Sequence, residues 1–236
     1  MRIFIVMTMF VASLALPGWT DYEELRDLDL GSDGISRLSI KAGAGSMDVA
    51  GVDGLNRITV KATIVVPDTN EDDALKIIAK DMTLSLQRKH GEARLEAWFD
   101  SGFMGFGTDS HIDLEISVPQ SMAVSIDDGS GSIDVANVFG GVIIDDGSGL
   151  IDVSNVADLK IVDGSGSIDI VNVAGDVSIV DGSGSISVRH IAGSVTIDDG
   201  SGSIRVSDVE NDLIIIDDGS GSLSFSDIRG TVEQET

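Results

Sequence analysis

The chain has 236 residues, with 40 acidic against 15 basic side chains, 28 glycines, 3 prolines and no cysteine. A net charge of −25 argues against nucleic acid and anionic membrane surfaces as partners, since both are bound through excess lysine and arginine. The missing cysteines remove disulfides, thiolate metal sites and cysteine nucleophiles, while 42% hydrophobic content is too apolar for a disordered acidic chain.

Residues 1–20 read as a secretory signal peptide. Arg2 supplies the positive start, Ile3 to Leu16 runs without a charge, and Pro17-Gly18 breaks the helix. That apolar run is shorter than the roughly 20 residues a spanning helix needs, so an uncleaved anchor is the weaker alternative. The reading predicts cleavage between Leu16 and Asp21 and export to the periplasm or surface of a bacterium.

Residues 21–118 are expected to form an N-terminal cap and a first degenerate coil. Gly43-Ala44-Gly45-Ser46-Met47-Asp48-Val49 is a worn copy of a motif that returns later, and Arg57 to Val66 alternates as a strand. Thr69 to Lys80 is predicted helical. Thr69 or Asn70 can cap it, Glu71, Asp72 and Asp73 occupy its first turn, and Ala74, Leu75, Ile77 and Ile78 give it an apolar face. Met82 to Leu86 and Ala93 to Phe99 form a hairpin closed near His90-Gly91, and Ile112, Leu114, Ile116 and Val118 make another strand.

Residues 119–236 are a repeat array. Asp-Gly-Ser-Gly opens at Asp128, Asp146, Asp163, Asp181, Asp199 and Asp218, at spacings of 18, 17, 18, 18 and 19 residues. With that Asp as column 1, columns 6, 8 and 11 are aliphatic in almost every unit, as in Ile168, Ile170 and Val173. Columns 15 and 17 continue the pattern from Val142/Ile144 to Ile214/Ile216. The period of two within each pair belongs to strands, and no unit has the length or pattern of a helix. Eighteen residues cannot bury five aliphatic side chains alone, so the units must stack. The expected fold is all-β: a parallel β-solenoid of two-strand coils, right-handed by expectation, with neighbouring copies about 4.8 Å apart.

Glycines at columns 2 and 4 suit tight corners that need positive φ, and the column 1 Asp can accept turn amides. Asn137, Asn155 and Asn172 at column 10 predict an amide ladder. One residue is missing near Ala157, and an extra one is expected within Glu210-Asn211-Asp212-Leu213.

At Gly43 to Val49 and at the Asp-Gly-Ser-Gly-Ser-Ile-Asp-Val units the chain resembles the bacterial "putative adhesin" domain-of-unknown-function family, related in pattern to auto-transporter adhesin heads. The resemblance implies an exported, envelope-associated protein with a repetitive parallel β fold and no established chemistry; the expected partner is a protein or polysaccharide of the envelope, and no catalysis is expected.

Candidate chemistry is sparse. Column 7 lines up Asp134, Asp152 and Asp169, and column 18 lines up Asp127, Asp145, Asp198 and Asp217. Carboxylate oxygens suit calcium, but six or more per ion are not evident, so a solvated face and structural turns are the preferred reading and no cofactor is expected. Asp109, His111, Asp113 and Glu115 alternate along one strand, about 6.6 Å apart, which reads as a polar face rather than a metal site. Trp98, Phe99, Phe103 and Phe106 gather in a glycine-rich segment that either meets a partner or plugs the first coil. No nucleophile elbow or phosphate loop follows the glycines; a carbohydrate-active enzyme on an acidic β-helix face and a periplasmic cation-binding or stress-related module are the rival readings.

Overall fold

The computed structural model describes residues 20–100 and 109–235. The chain opens with β1 (Thr20–Gly31), β2 (Arg37–Ala42), β3 (Met47–Val52) and β4 (Arg57–Thr69), followed by α1 (Glu71–Asp81). Asn70 caps α1, its side chain accepting the Asp73 amide at 3.1 Å, and Glu71, Asp72 and Asp73 face the positive end of the helix dipole. The hairpin follows as β5 (Met82–Lys89) and β6 (Glu92–Phe99), then β7 (His111–Pro119).

The repeats supply β8 (Ala123–Asp128), β9 (Gly131–Ala136), β10 (Val142–Asp146), β11 (Gly149–Val156), β12 (Leu159–Asp163) and β13 (Gly166–Val173). They continue through β14 (Val177–Asp181), β15 (Gly184–Ile191), β16 (Val195–Asp199), β17 (Gly202–Val209), β18 (Leu213–Asp217), β19 (Ser222–Ile228) and β20 (Val232–Gln234).

Two ten-stranded sheets enclose the core. Sheet A runs β1-β4-β7-β3-β9-β11-β13-β15-β17-β19, and sheet B runs β20-β18-β16-β14-β12-β10-β8-β2-β6-β5. From β2 and β3 onward the ladders are parallel and identical columns meet: Ile133, Ile151, Ile168, Ile186 and Ile204 face one another across sheet A. These side chains are at most 1% exposed, and burying each stabilises the fold by about 1.5–3 kcal/mol.

The worn copy joins this stack in register, Met47 opposite Ile133 and Val49 opposite Val135. Its place departs from chain order. The coil made by β2 and β3 sits between β6 with β7 on one side and β8 with β9 on the other. Antiparallel β4 and β1 continue sheet A beyond β7, and antiparallel β5 closes sheet B beyond β6.

Three local expectations change. The extra residue of the last unit lies at Ile216, not in 210–213: Ile197 pairs with Ile215 but Asp198 pairs with Asp217. Leu213 and Ile215 are therefore the buried pair of β18, while Ile214 turns outward and Ile216 is 42% exposed. The same shift leaves Asp217, rather than Asp218, accepting the turn amide of Gly219. The two glycine columns also differ in cause. Gly149, at column 4, holds φ +155, and a Cβ there would collide with the Gly131 carbonyl of the coil below. Gly147, at column 2, is not among the positive-φ residues; it is required because the Gly129 carbonyl leaves no room for a Cβ.

Candidate binding faces

The column 10 corner sets the geometry of the rest. Asn137, Asn155, Asn172, His190, Asp208 and Asp227 all adopt φ between 54° and 61°. This left-handed conformation favours Asn, Asp and His among residues with a side chain, which explains the mixed column. The amides form the expected ladder, Asn155 Nδ2 to Asn137 Oδ1 at 3.2 Å and Asn172 Nδ2 to Asn155 Oδ1 at 3.1 Å. Further along, His190 Nε2 lies 3.7 Å from Asp208 Oδ2.

Column 1 is an interior ladder of carboxylates. Asp128, Asp146, Asp163, Asp181 and Asp199 are between 0% and 6% exposed. Asp163, Asp181 and Asp199 each accept the amide two residues on, at 3.2, 3.1 and 3.0 Å, as the expected turns. Their second oxygens are buried without a partner, as is at least one oxygen of Asp128 and Asp146. Burial pushes the Asp128 carboxyl up to about 7, with the Asp146 carboxylate adding to it. Burial likewise raises Asp181 to about 6, against the Ser183 amide bond, and lifts Asp146, Asp163 and Asp199. Asp218 lies outside this ladder, half-buried in the shifted last unit.

Column 7 faces outward, and the structure extends it. Glu115, Asp48, Asp134, Asp152 and Asp169 are neighbours across sheet A. Partial burial raises Asp134, with Asp48 and Asp152 contributing, and raises Asp152, with Asp169 contributing. Lys61 Nζ lies 3.3 Å from Glu115 at one end, and Arg189 lies 2.9 Å from Asp169 at the other. Column 18 is interrupted, because Val162 and Val180 stand between Asp145 and Asp198.

The acids of β7 do not gather at one point, although His111 Nε2 lies 3.8 Å from Asp113 Oδ2. Asp113 Oδ1 accepts the amide and hydroxyl of Ser46, His111 Nδ1 lies 3.0 Å from the Asp109 carbonyl, and Glu115 meets Lys61. Among the described residues, no three His, Asp or Glu side chains come together with metal-binding geometry. Arg189 is tied to Asp169, so it is not poised as a base over the acid row. Trp98 and Phe99 are half-buried at the end of β6, with Phe99 packed on the core; Phe103 and Phe106 lie outside the described residues, as do residues 1–19 of the signal segment.

A surface groove that sequence reasoning missed lies on sheet B. At β10 the corner is Gly140-Gly141, where later units carry Asp158 and Asp176. With no side chain there, the face sinks into a cavity of about 410 Å3 lined by Arg37, Ser125, Ile143, Asp158, Lys160 and Asp176 among others. Asp158 and Asp176 each use an oxygen on the amide of the next coil, at 3.2 and 2.8 Å. Arg37 and Lys160 are exposed, and neither makes an ion pair among the described residues. The glycine pair interrupting the repeat was the readable signal; the meeting of β2 with β12 across two intervening strands was not.

No family model matches the chain, and no curated protein matches it. Among solved structures it is similar to a "putative adhesin" from Bacteroides fragilis, at 14% identity and TM-score 0.44, over 89% of this chain and 97% of that one. It is similar to a "putative adhesin" from Parabacteroides distasonis at 13% identity and TM-score 0.40, over 89% and 97%. A "putative lipid binding protein" from the same species aligns at 13% identity and TM-score 0.39, over 91% and 97%.

Proposed function

We propose that this is an exported, non-catalytic protein of the bacterial envelope whose solenoid serves as an adhesin-like binding or scaffolding surface. The observation that carries this reading is the sheet B groove. In a chain of net charge −25, it places two cations that form no ion pair among the described residues, Arg37 and Lys160, beside the exposed apolar Ile143. The groove has the volume of a small-ligand site, and its floor is main chain held by parallel ladders, so it is preformed. It suits the carboxylate-bearing end of an envelope protein or polysaccharide, because two cations spread along a groove of a rigid acidic body attract local anionic groups while the surrounding charge repels extended ones.

Two measurements test the reading. Envelope extract is passed over the immobilised mature chain and over its Arg37→Glu/Lys160→Glu variant. Retention by the first and loss by the second is expected, and equal retention overturns the groove as the contact. N-terminal sequencing of the envelope fraction should find a start between Leu16 and Asp21; an intact Met1 there overturns export by cleavage.

A further inference from the structure

The two ends of the solenoid are finished differently. At the first end β1 and β5 are both edges and both are charged, β1 with exposed Asp21, Glu23, Asp27 and Asp29 and β5 with exposed Arg88 and Lys89, edges of the kind that discourage strand pairing. At the other end β19 and β20 are both edges, and no strand among the described residues covers their inward columns. Phe225 is 47% and Val232 38% exposed, whereas Val206 and Leu213, their counterparts one coil earlier, are fully buried. From Gly219 to Ser226 the edge carries no charge at all.

We propose that this end docks against the same end of a second copy, forming a closed two-fold dimer. The strand itself is self-complementary. Ser222-Leu223-Ser224-Phe225-Ser226 is symmetric about Ser224 in its alternation of small polar and large apolar residues. A two-fold axis through Ser224, perpendicular to the sheet, runs β19 antiparallel to its copy and sets Leu223 opposite the partner's Phe225. Because the axis keeps inward columns inward, the aliphatic core continues across the joint.

The main chain agrees. Gly184 donates its amide to Ser201 of the next coil, so column 4 points toward the open end. Alternation along a strand gives columns 6 and 8 the same direction, and the Ser224 hydroxyl indeed donates to the Ile204 carbonyl from above. Leu223 and Phe225 therefore present their free N–H and C=O groups outward. In the proposed register they form hydrogen-bonded pairs, each exchanging both main-chain bonds, while Ser224 meets its own copy in the closer non-hydrogen-bonded position. Sheet B follows the same rule: Leu213 donates to Thr231 above it, so Val232 and Gln234 face the open end.

The cost of the arrangement falls on one residue. An axis centred on Glu233 brings the two copies of that carboxylate face to face, and like charges directly opposite destabilise a ladder. Arg229 cannot relieve this, being paired with Glu210. The dimer should tighten as Glu233 is neutralised. Head-to-tail growth would set the uncharged β19 strand against the charged β1 edge, which discourages strand pairing, so the assembly closes at two.

The test uses the mature chain, without the signal segment, in sedimentation equilibrium, with covalent trapping as a second measurement. Wild type is expected to reach dimer mass and no higher. Phe225→Asp should weaken association at least tenfold, and Glu233→Gln should strengthen it. Because the chain has no cysteine, Ser224→Cys gives an unambiguous crosslink: oxidation should yield a covalent dimer, while exposed Ser203→Cys, one coil inward, should not. The Ser224 side chain points to solvent, so that variant remains informative even if Phe225→Asp fails to fold. Monomer at all concentrations, growth beyond dimer, or equal crosslinking of both cysteine variants would overturn the proposal.

Discussion

The column 1 and column 7 aspartates recur six residues apart in the same repeat, yet they occupy opposite environments. Asp163 sits inside the corner with 4% exposure and one oxygen unpaired, whereas Asp169 stands on the outer face of sheet A and reaches Arg189. Stacking brings like charges about 4.8 Å apart in both columns, a repulsion of roughly 1 kcal/mol per pair in bulk water. The outer column keeps part of its water, and partial burial still raises Asp134 and Asp152. The inner column has lost nearly all of it, and burial carries Asp128 up to about 7 and Asp181 up to about 6. Column 1 therefore carries a structural bond and an electrostatic load in one side chain, and column 7 carries little of either.

The largest expected effect comes from moving an aspartate where no turn amide can receive it. Ile168→Asp sets a carboxylate between stacked Ile151 and Ile186 and should destabilise the fold by about 3–5 kcal/mol in urea titrations. A loss similar to that of an outer-column variant would mean the parity of β13 is misassigned.

The next effect is a pH dependence with a definite sign. Asp128 at about 7 and Asp181 at about 6 lie above their unfolded value of 3.8, so the folded ladder binds more protons than the unfolded chain between about pH 4 and 7. Stability contributed by these groups is intact below that window and is lost as pH rises through it. Melting at pH 5 should exceed melting at pH 8, by about 2–4 kcal/mol in stability. A flat profile would break the distinction between the two columns.

Asp163→Asn sharpens the same point. The amide keeps an oxygen for the Ser165 N–H while removing the charge that burial disfavours, so it should stabilise by about 1 kcal/mol at pH 8 and by less at pH 5. An equal effect at both pH values would assign the gain to packing instead. The smallest effect is expected at the outer column: Asp152→Ser should stay within about 0.5 kcal/mol of wild type by chemical denaturation at either pH.

Much of this was legible beforehand. The helix with its Asn70 cap, the β5–β6 hairpin, the inward columns and the asparagine ladder follow from alternation and turn chemistry, which act within a few residues. The column 10 mixture of Asn, His and Asp was visible but unexplained until the backbone showed the left-handed conformation they share. The shift at Ile216 was misplaced because an aliphatic run, Leu213 to Ile216, fits either parity equally well, and only pairing with β16 decides it.

By itself, the sequence determined the repeat, its strand content and the aliphatic core, because side-chain parity and 18-residue periodicity leave one way to bury those columns. Tertiary structure alone decided the rest. It wedged the β2–β3 coil between elements made later in the chain, joined Asp48 and Glu115 to the outer acid row, and brought Arg37 toward Lys160. It also buried the column 1 oxygens. Each of these depends on which coil lies against which, an outcome set by non-local pairing and invisible to any local pattern.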